Sequence, residues 1–275
     1  MLDRHPAFAD VPPEPGIAKP DPILEADGLQ RFFGGLRAVD VDHLEVERGT
    51  ITSLIGPNGA GKTTLFNLLT GFDKPDHGEW RLDGGPLVGI PSFRIARAGM
   101  VRTFQLTKSL SRLTVMENMM VATKGHVGET FWGALFGRWR HIEAENAQVA
   151  LASLERFGLD HMRDEYAGSL SGGQRKLLEM ARALMVAPDV IMLDEPMAGV
   201  NPALTQSLLE HIVSLRADGK TVIFIEHDMD VVQEISDWVV VMAQGKVIAA
   251  GPPEHIASNR VVIDAYLGEH HGEVP

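Results

Sequence analysis

The chain has 275 residues, of which 44% are hydrophobic and 23% charged, a balance typical of a folded globular protein with a large core. With 25 basic and 37 acidic side chains, its formal net charge of -12 disfavours broad attraction to nucleic acid or anionic lipid. The absence of cysteine excludes disulfides, thiol chemistry and cysteine-bound zinc.

The chain contains no apolar run near the ~20 residues that a transmembrane helix needs, the best candidate being the strand-sized run from Trp238 to Ala243. The first 22 residues are rich in proline and lack the basic start and apolar stretch of a secretory signal. We therefore expect a flexible tail over residues 1–22 and no membrane-spanning helix.

The folded part begins with short β segments, predicted at about 23–29, 39–46 and 50–55. The last of these leads through a glycine-rich turn into a predicted helix at 60–69, and a strand with its turn follows at 78–84. Apolar residues spaced by three and four then predict a mostly helical middle, with helices at 91–98, 115–123 and 142–157.

Helices and strands alternate in the last hundred residues. The periodicity predicts helices from Ser171 to about Val186, from Ala203 to Arg216 and up to Ile235, and strands at 190–193, 221–225, 238–242 and 246–250. This alternation indicates an α/β fold with a mainly parallel sheet.

A phosphate-binding loop stands between the third β segment and the first helix. Gly-rich turns at this place present backbone N–H groups and a helix N-terminus to a polyanion, and a lysine and a hydroxyl at its end suit the β- and γ-phosphates and a bridging Mg²⁺. The predicted nucleotide-binding residues are Gly56, Pro57, Asn58, Gly59, Ala60, Gly61, Lys62, Thr63 and Thr64, with Lys62 also catalytic and Thr63 also a metal ligand.

A second acidic element ends the apolar segment 190–193. Asp194 and Glu195 follow it directly, and the carboxyl ends of parallel strands are where ligands bind in such sheets. We expect Asp194 to bind Mg²⁺, directly or through water, and Glu195 to act as the general base or to orient the attacking water.

The string Leu170-Ser-Gly-Gly-Gln, placed after the phosphate loop and before the acidic pair, resembles the signature motif of ATP-binding-cassette (ABC) ATPases. The resemblance covers about residues 23–267. It implies a P-loop NTPase (RecA-like) core with a mainly parallel sheet, an N-terminal antiparallel β subdomain and an α-helical subdomain at about 91–186, followed by a tail at 268–275. It also implies an ATPase that uses ATP and Mg²⁺.

Three further residues match the motifs of this family in the expected order. Phe33 resembles the aromatic residue that stacks on adenine, Gln105 the glutamine that approaches Mg²⁺ and the attacking water, and His227 the histidine that hydrogen-bonds the γ-phosphate. The resemblance therefore implies that Gln105 is a catalytic and metal-binding residue and that His227 is catalytic.

The signature motif implies that one chain does not complete an active site. In this family the motif faces the γ-phosphate held by a second ATPase, so that two ATP molecules are sandwiched in a dimer, formed with a second copy or a sister chain. The residues that the resemblance assigns to this contact are Ser171, Gly172, Gly173 and Gln174.

One position departs from the common pattern of the family. Asn201 stands where most members have aspartate, a variant found in the ATPases of branched-chain amino acid uptake. Strings that begin at Phe32, Asn67, Thr103 and Val262 are similar to the same group. The resemblance thus favours an importer of branched-chain amino acids or related polar solutes.

Members of that group lie on the cytoplasmic face of the bacterial plasma membrane. The resemblance implies two permease subunits as partners, a solute-binding protein outside the membrane as an indirect partner, and no nucleic acid. Residues 106–113 are expected to receive a permease helix, with Leu110 and Leu113 in contact, whereas the aromatic and basic segment 130–140 is given no function.

Two other functions would use the same motifs. An exporter ATPase, for example of lipopolysaccharide, has a similarly short cassette, and a soluble ATPase of DNA repair or translation forms the same sandwich. The Asn201 loop and the carboxyl-terminal string favour import over export, and the absence of tandem cassettes and zinc-binding cysteines argues against the soluble class.

Overall fold

A computed structural model describes residues 5–103, 110–123 and 139–267. The chain divides into two units. Unit 1 comprises Met1–Arg102, Asp189–Pro196 and Ile212–Pro275, and unit 2 comprises Thr103–Pro188 and Met197–His211.

The centre of unit 1 is a six-stranded sheet in the order β10-β9-β3-β8-β7-β6. All neighbouring pairs are parallel except β9 with β10, so the predicted mainly parallel sheet is confirmed. Every residue of β3, β7 and β8 is buried, which explains why their sequences are mostly apolar. The strands are β3 (Ile51–Ile55), β6 (Met100–Arg102), β7 (Val190–Asp194), β8 (Thr221–Ile225), β9 (Trp238–Ala243) and β10 (Lys246–Gly251).

Unit 1 also contains an antiparallel sheet in the order β2-β1-β4-β5. Its strands are β1 (Pro22–Phe33), β2 (Leu36–Glu47), β4 (His77–Leu82) and β5 (Gly85–Pro86). The first two are longer than their apolar segments predict and are joined by a tight turn in which Gly34 has φ of 60°, a value that favours glycine. Phe33 is therefore the last residue of β1, directly before this turn.

Among the described residues, five α-helices lie wholly in unit 1. The first begins at Lys62 rather than at the predicted residue 60, because Gly61 caps it with φ of 100°. Its residues Leu65, Phe66, Leu68 and Leu69 are buried in the core that both sheets share. The helices are α1 (Lys62–Leu69), α2 (Ser92–Arg97), α7 (Met229–Ile235), α8 (Pro253–Ala257) and α9 (Arg260–Leu267).

Unit 2 is helical in the part that the structure describes. Its helices are α3 (Val115–Val121), α4 (Trp139–Arg156), α5 (Gly172–Leu184) and α6 (Pro202–Ala217), the last of which continues into unit 1 after His211. The sequence placed the helical subdomain at about 91–186. Helix α2 instead belongs to unit 1, because Ile95 is buried in the core of that unit, and residues 197–211 join unit 2.

None of the helices within residues 5–103, 110–123 and 139–267 is long and apolar enough to cross a bilayer.

The prediction of a flexible tail is wrong for residues 5–21, which pack against unit 1. Phe8 is buried and its ring stacks on that of Trp238 at a centroid distance of 4.8 Å. The ammonium of Lys19 lies 3.8 Å from the Trp238 ring centroid, and the backbone N–H of Asp21 donates to the carboxylate of Glu47. Proline content alone predicts disorder, but packing on Trp238 and hydrogen bonds to unit 1 order the segment.

Replacement of Phe8 by alanine tests this packing. Because the variant loses a stacked, buried ring, we expect the free energy of unfolding to fall by about 3 kcal/mol in chemical denaturation. Phe93→Ala is the matched control, since the Phe93 side chain is 55% exposed and its loss should have little effect. Equal unfolding free energies for the Phe8 variant and the unmodified protein would show that residues 5–21 do not contribute to the fold.

The pKa of Lys19 leads to a second prediction. Burial lowers the pKa of Lys19 from 10.5 to about 8, against the opposing effect of Glu45 and Glu47. Between pH 8 and 10.5 the unfolded chain therefore binds more protons than the folded one, so the contribution of Lys19 to stability rises with pH in that window. Comparing Lys19→Met with the unmodified protein by denaturation, we expect a constant difference below pH 8 and a relative gain of the unmodified protein above it. A difference that stays constant across the window would contradict the lowered pKa.

Candidate active site

The loop between β3 and α1 has a backbone that only glycine permits at two positions. Gly56 and Gly61 have φ of 144° and 100°. A Cβ at Gly56 would clash with the carbonyl oxygen of Met242, and one at Gly61 with that of Ala38. The close packing of this loop against neighbouring backbone thus requires the glycines, independently of any ligand.

Lys62 begins helix α1 directly after this loop. Its side chain is buried, and its ammonium donates to the carbonyl oxygens of Gly56 at 2.6 Å and Pro57 at 2.8 Å. Thr63 is exposed in the first turn of the same helix. The loop therefore places an ammonium, a hydroxyl and a helix N-terminus at one point, an arrangement suited to a phosphate chain.

A cleft of about 720 Å³ opens over this loop within unit 1, a volume in the range of small-molecule sites. It brings together the base-stacking candidate Phe33, residues 58–64 of the phosphate loop with Lys62, and the catalytic candidates Glu195 and His227. Its walls are formed by Phe33, Leu36, Arg37, Ala38, Asn58, Gly59, Ala60, Gly61, Lys62, Thr63, Thr64, Glu195, His227 and Gln244.

Sequence reasoning identified most of this cleft and missed four residues: Leu36, Arg37, Ala38 and Gln244. The first three follow Phe33 along the hairpin between β1 and β2, so the aromatic residue itself was the signal that could have found them. Gln244 lies in the turn between β9 and β10, whose next residue, Gly245, donates to the carbonyl of Ala60 in the phosphate loop. Only the pairing of the strands reveals that contact.

Phe33 is half exposed in the cleft, as a residue that stacks on a base must be. The guanidinium carbon of Arg31 lies 4.6 Å from the centroid of its ring. Arg31 is itself held by the carboxylates of Asp73 at 2.8 Å and Asp76 at 3.3 Å. This cation–π contact limits the movement of the ring on the surface of the protein.

Glu195 and His227, two separate candidates in the sequence, lie side by side in the cleft. The Nε2 of His227 lies 2.7 Å from Oε1 of Glu195. When Nε2 carries a hydrogen, the imidazole donates a hydrogen bond to the carboxylate. The backbone of Glu195 is left-handed with φ of 48°, and its N–H donates to the carbonyl of Ile225 at 3.1 Å. A strained, non-glycine backbone at a carboxylate in a cleft is typical of catalytic residues.

Asp194 is buried at the end of β7 and is not part of the cleft wall. Its Oδ2 accepts a hydrogen bond of 2.5 Å from Arg102, which also donates to Oδ1 of Asn67 at 2.6 Å. No role was predicted for Arg102 from the sequence. No local signal could have found this partner, because the strand that ends at Arg102 was not predicted and its pairing with β7 is a property of the whole sheet.

The described residues contain no group of three or more His, Cys, Asp or Glu side chains that could bind a metal by itself. Mg²⁺ rarely needs one, because it keeps several waters and takes substrate phosphates beside one or two protein oxygens. The hydroxyl of Thr63 and the carboxylate of Asp194 are donors of this kind. The predicted third ligand, Gln105, lies outside the described residues, as do 106–109 and most of the segment 130–140.

The signature motif stands at the beginning of helix α5 in unit 2. Ser171 is the N-cap, and its Oγ and N–H exchange hydrogen bonds with the N–H and Oε1 of Gln174. Ser171 and Gly172 are exposed, whereas a Cβ at Gly173 would clash with the side chain of Leu204. The motif therefore has a structural basis within the chain: Gln174 completes a capping box and Gly173 admits helix α6.

Asn201 caps helix α6, and this role explains why an amide can stand here in place of a carboxylate. Its Oδ1 accepts from the N–H of Leu204 at 3.0 Å, and Pro202 occupies the first helical position. An aspartate would make the same capping bond, so the loss of its charge leaves the helix start unchanged.

Comparison with known proteins agrees with this geometry. Residues 39–198 match the family model of the ABC transporter, and residues 246–272 match that of the branched-chain amino acid ATP-binding cassette transporter. The chain is 47% identical to the high-affinity branched-chain amino acid transport ATP-binding protein BraF of Pseudomonas aeruginosa, an alignment that covers 90% of this chain and 98% of the relative. It is 44% identical to LivG of Escherichia coli, which carries the same description, with the same coverage.

Solved structures show the same likeness. The chain resembles a nucleotide-free ATP-binding cassette from an ABC transporter with a TM-score of 0.79 and 36% identity, over 89% of this chain and 98% of that one. A cassette in its ADP conformation matches with a TM-score of 0.78 and the same identity, over 90% and 99%. The chain belongs to the ATPases of ABC transporters. Its relatives are the ATP-binding subunits of branched-chain amino acid transporters, and like them it is an ATP-hydrolysing enzyme.

The pairing of Glu195 with His227 leads to a prediction about turnover. Glu195→Gln removes the predicted proton acceptor, and His227→Ala removes the group 2.7 Å from it, so each should lower the ATPase rate about 10²- to 10⁴-fold. Neither side chain belongs to the phosphate loop, and we therefore expect the affinity for ADP, which lacks the γ-phosphate, to be retained.

The measurements are phosphate release and equilibrium binding of a fluorescent nucleotide. His255→Ala serves as the control, because this histidine is exposed on α8 and lies outside the cleft. Full turnover by the Glu195 variant would remove Glu195 as the base, and full turnover by the His227 variant alone would show that the hydrogen bond is dispensable.

Proposed function

We propose that this chain hydrolyses ATP to power an importer of branched-chain amino acids or related polar solutes, with ATP-driven closure of two ATPase subunits as the mechanical step. The observation that carries the proposal is the cleft in which the phosphate loop faces Glu195 and His227, themselves 2.7 Å apart. The names of the relatives at 43 to 47% identity support import rather than export of lipopolysaccharide.

Binding of ATP is assigned to the loop and the hairpin. Phe33 stacks on the base, and the backbone N–H groups of the loop, to which Pro57 contributes none, surround the phosphates. Lys62 exchanges its carbonyl partners, Gly56 and Pro57, for the β- and γ-phosphates. Both sets of partners are oxygen atoms, so the ammonium remains hydrogen-bonded in either state.

Thr63, Asp194 and Gln105 are the residues that would hold Mg²⁺. When bound, this ion neutralises charge on the β- and γ-phosphate oxygens. The roles of the protein groups follow from their chemistry: Thr63 offers a hydroxyl oxygen, Asp194 a carboxylate oxygen and Gln105 an amide oxygen.

Glu195 is assigned to the attacking water. His227, with its proton on Nε2, donates to Oε1 of Glu195, so the other carboxylate oxygen is available to take a proton from water. The strained backbone at Glu195 fixes the position of its side chain, and the hydrogen bond to the histidine fixes the orientation of the carboxylate. A histidine that contacts both the carboxylate and the γ-phosphate would also report the arrival of ATP to the base.

The signature motif is assigned to contact with a second ATPase. Ser171 and Gly172 are exposed at the N-terminus of the 13-residue helix α5, where the helix dipole favours an anion. Within one chain these residues cap a helix, and in the dimer Ser171, Gly172, Gly173 and Gln174 would face the γ-phosphate held by the partner. Closure on two ATP molecules then supplies the work, and hydrolysis releases it.

Membrane attachment is assigned to protein partners. The net charge of -12 disfavours binding to anionic lipid, and the cytoplasmic face of the bacterial plasma membrane is reached through two permease subunits. Leu110 and Leu113, both half-buried, are the described residues proposed to contact a permease. The solute is selected by a binding protein on the other side of the membrane.

Identification of the partners tests this proposal. Tagged Glu195→Gln protein is expressed in its native cell, the membranes are solubilised in ATP and Mg²⁺, and co-purifying proteins are identified. We expect two permeases and a sister ATPase, because ATP that is not hydrolysed holds the closed dimer. Lys62→Ala, which loses the phosphate contact, is the matched control and should recover less of the sister ATPase. Recovery of only soluble nucleic-acid or ribosomal partners would overturn the transport function and leave the ATPase activity in place.

A further inference from the structure

Arg102 and Asp194 form a buried ion pair beside the active site. They end the neighbouring parallel strands β6 and β7, and each side chain is only 9% exposed. Arginine stays protonated under all ordinary conditions, so the carboxylate assigned to Mg²⁺ permanently faces a positive charge 2.5 Å away. The chain enters unit 2 directly after Arg102 and again at Met197, three residues after Asp194.

The guanidinium is held on several sides. It donates to Oδ1 of Asn67 in helix α1, and its central carbon lies 5.6 Å from the centroid of the Phe66 ring. The backbone of Arg102 pairs with that of Met192 in the sheet. A planar group with two hydrogen-bonded partners and an aromatic neighbour has one orientation, and Asp194 receives that orientation through its Oδ2.

We propose that Arg102 is a positioning residue for the metal: it holds Oδ2 of Asp194 and so turns the other carboxylate oxygen toward Mg²⁺ or a water bound to it. This inference rests on the proposed role of Asp194. Groups that orient a metal ligand typically change metal affinity about 10- to 100-fold when removed. The geometry favours a fixed support over a movable latch, since opening a latch would also break the bond to Asn67 and leave two buried charges apart.

A purely structural ion pair is the alternative, and the chain contains a matched example. Arg216 and Asp237 are also 2.5 Å apart and mostly buried in unit 1, but neither belongs to the cleft. The two pairs can therefore be broken in the same way, with only one of them next to a metal ligand.

The experiment measures the Mg²⁺ concentration at which half of the magnesium-dependent binding of fluorescent ADP is reached, so no turnover is involved. For Arg102→Met we expect this midpoint to rise about tenfold or more, while binding in excess EDTA stays close to that of the unmodified protein. Arg216→Met should lower the melting temperature and leave the midpoint unchanged. An unchanged or lowered midpoint in a folded Arg102→Met protein would overturn the proposal.

Asn67→Ala is the second variant, because it keeps both buried charges and both partners of the ion pair. It loosens only the far side of the guanidinium, and we expect a rise of about two- to threefold. If Arg102→Met does not fold, this variant still decides: an unchanged midpoint contradicts positioning by Arg102.

A double variant shows whether Arg102 acts through Asp194. In an Asp194→Asn background, Arg102→Met should add no further rise in the midpoint, and a second full rise would overturn the proposal. Failure of the proposed function has a different signature. If the unmodified protein binds no ADP, or if Asp194→Asn leaves the midpoint unchanged, then the metal role of Asp194 is wrong whatever Arg102 does.

Discussion

The parallel alignment of β3, β7 and β8 is the constraint on which the site depends. Their register places Ile55 beside Val241 and Leu54 beside Ile225, while Asp194 pairs with Ile225, so the three strands end at one edge. The chain leaves them as the phosphate loop, as Asp194 and Glu195, and as Glu226 and His227. Because these strands are buried, the charged and phosphate-binding groups lie at or just beyond their carboxyl ends, and chemistry is confined to that edge.

Two kinds of contact hold the groups at that edge. The phosphate loop is shaped by backbone packing, in which glycine admits the carbonyls of Met242 and Ala38. The carboxylates are held by side chains, Asp194 by Arg102 and Glu195 by His227. These two partners have different effects. The buried arginine keeps a positive charge beside Asp194 and sets the direction of its carboxylate, whereas the partly exposed histidine leaves Glu195 open to the cleft.

The N-terminal segment shows where composition misleads. Residues 5–21 contain enough proline to suggest disorder, yet Phe8 and Lys19 pack on Trp238. The error has a physical cause, because whether a segment folds depends on the surface it meets as well as on its own residues. The same holds for α2, which is helical as predicted but joins unit 1 through Ile95. Propensity identified the helix, and only packing decided where it belongs.

The sequence by itself determined the class of the protein. Phosphate-loop glycines, Lys62, the acidic pair and the signature motif have local requirements, such as positive φ or a helix cap, that adjacent residues must satisfy together. The tertiary structure alone decided which distant groups meet: Glu195 with His227, Arg102 with Asp194 and Asn67, and Gly245 with the phosphate loop. These contacts join residues far apart in the chain, and no local pattern specifies them, because strand order and register are properties of the whole sheet.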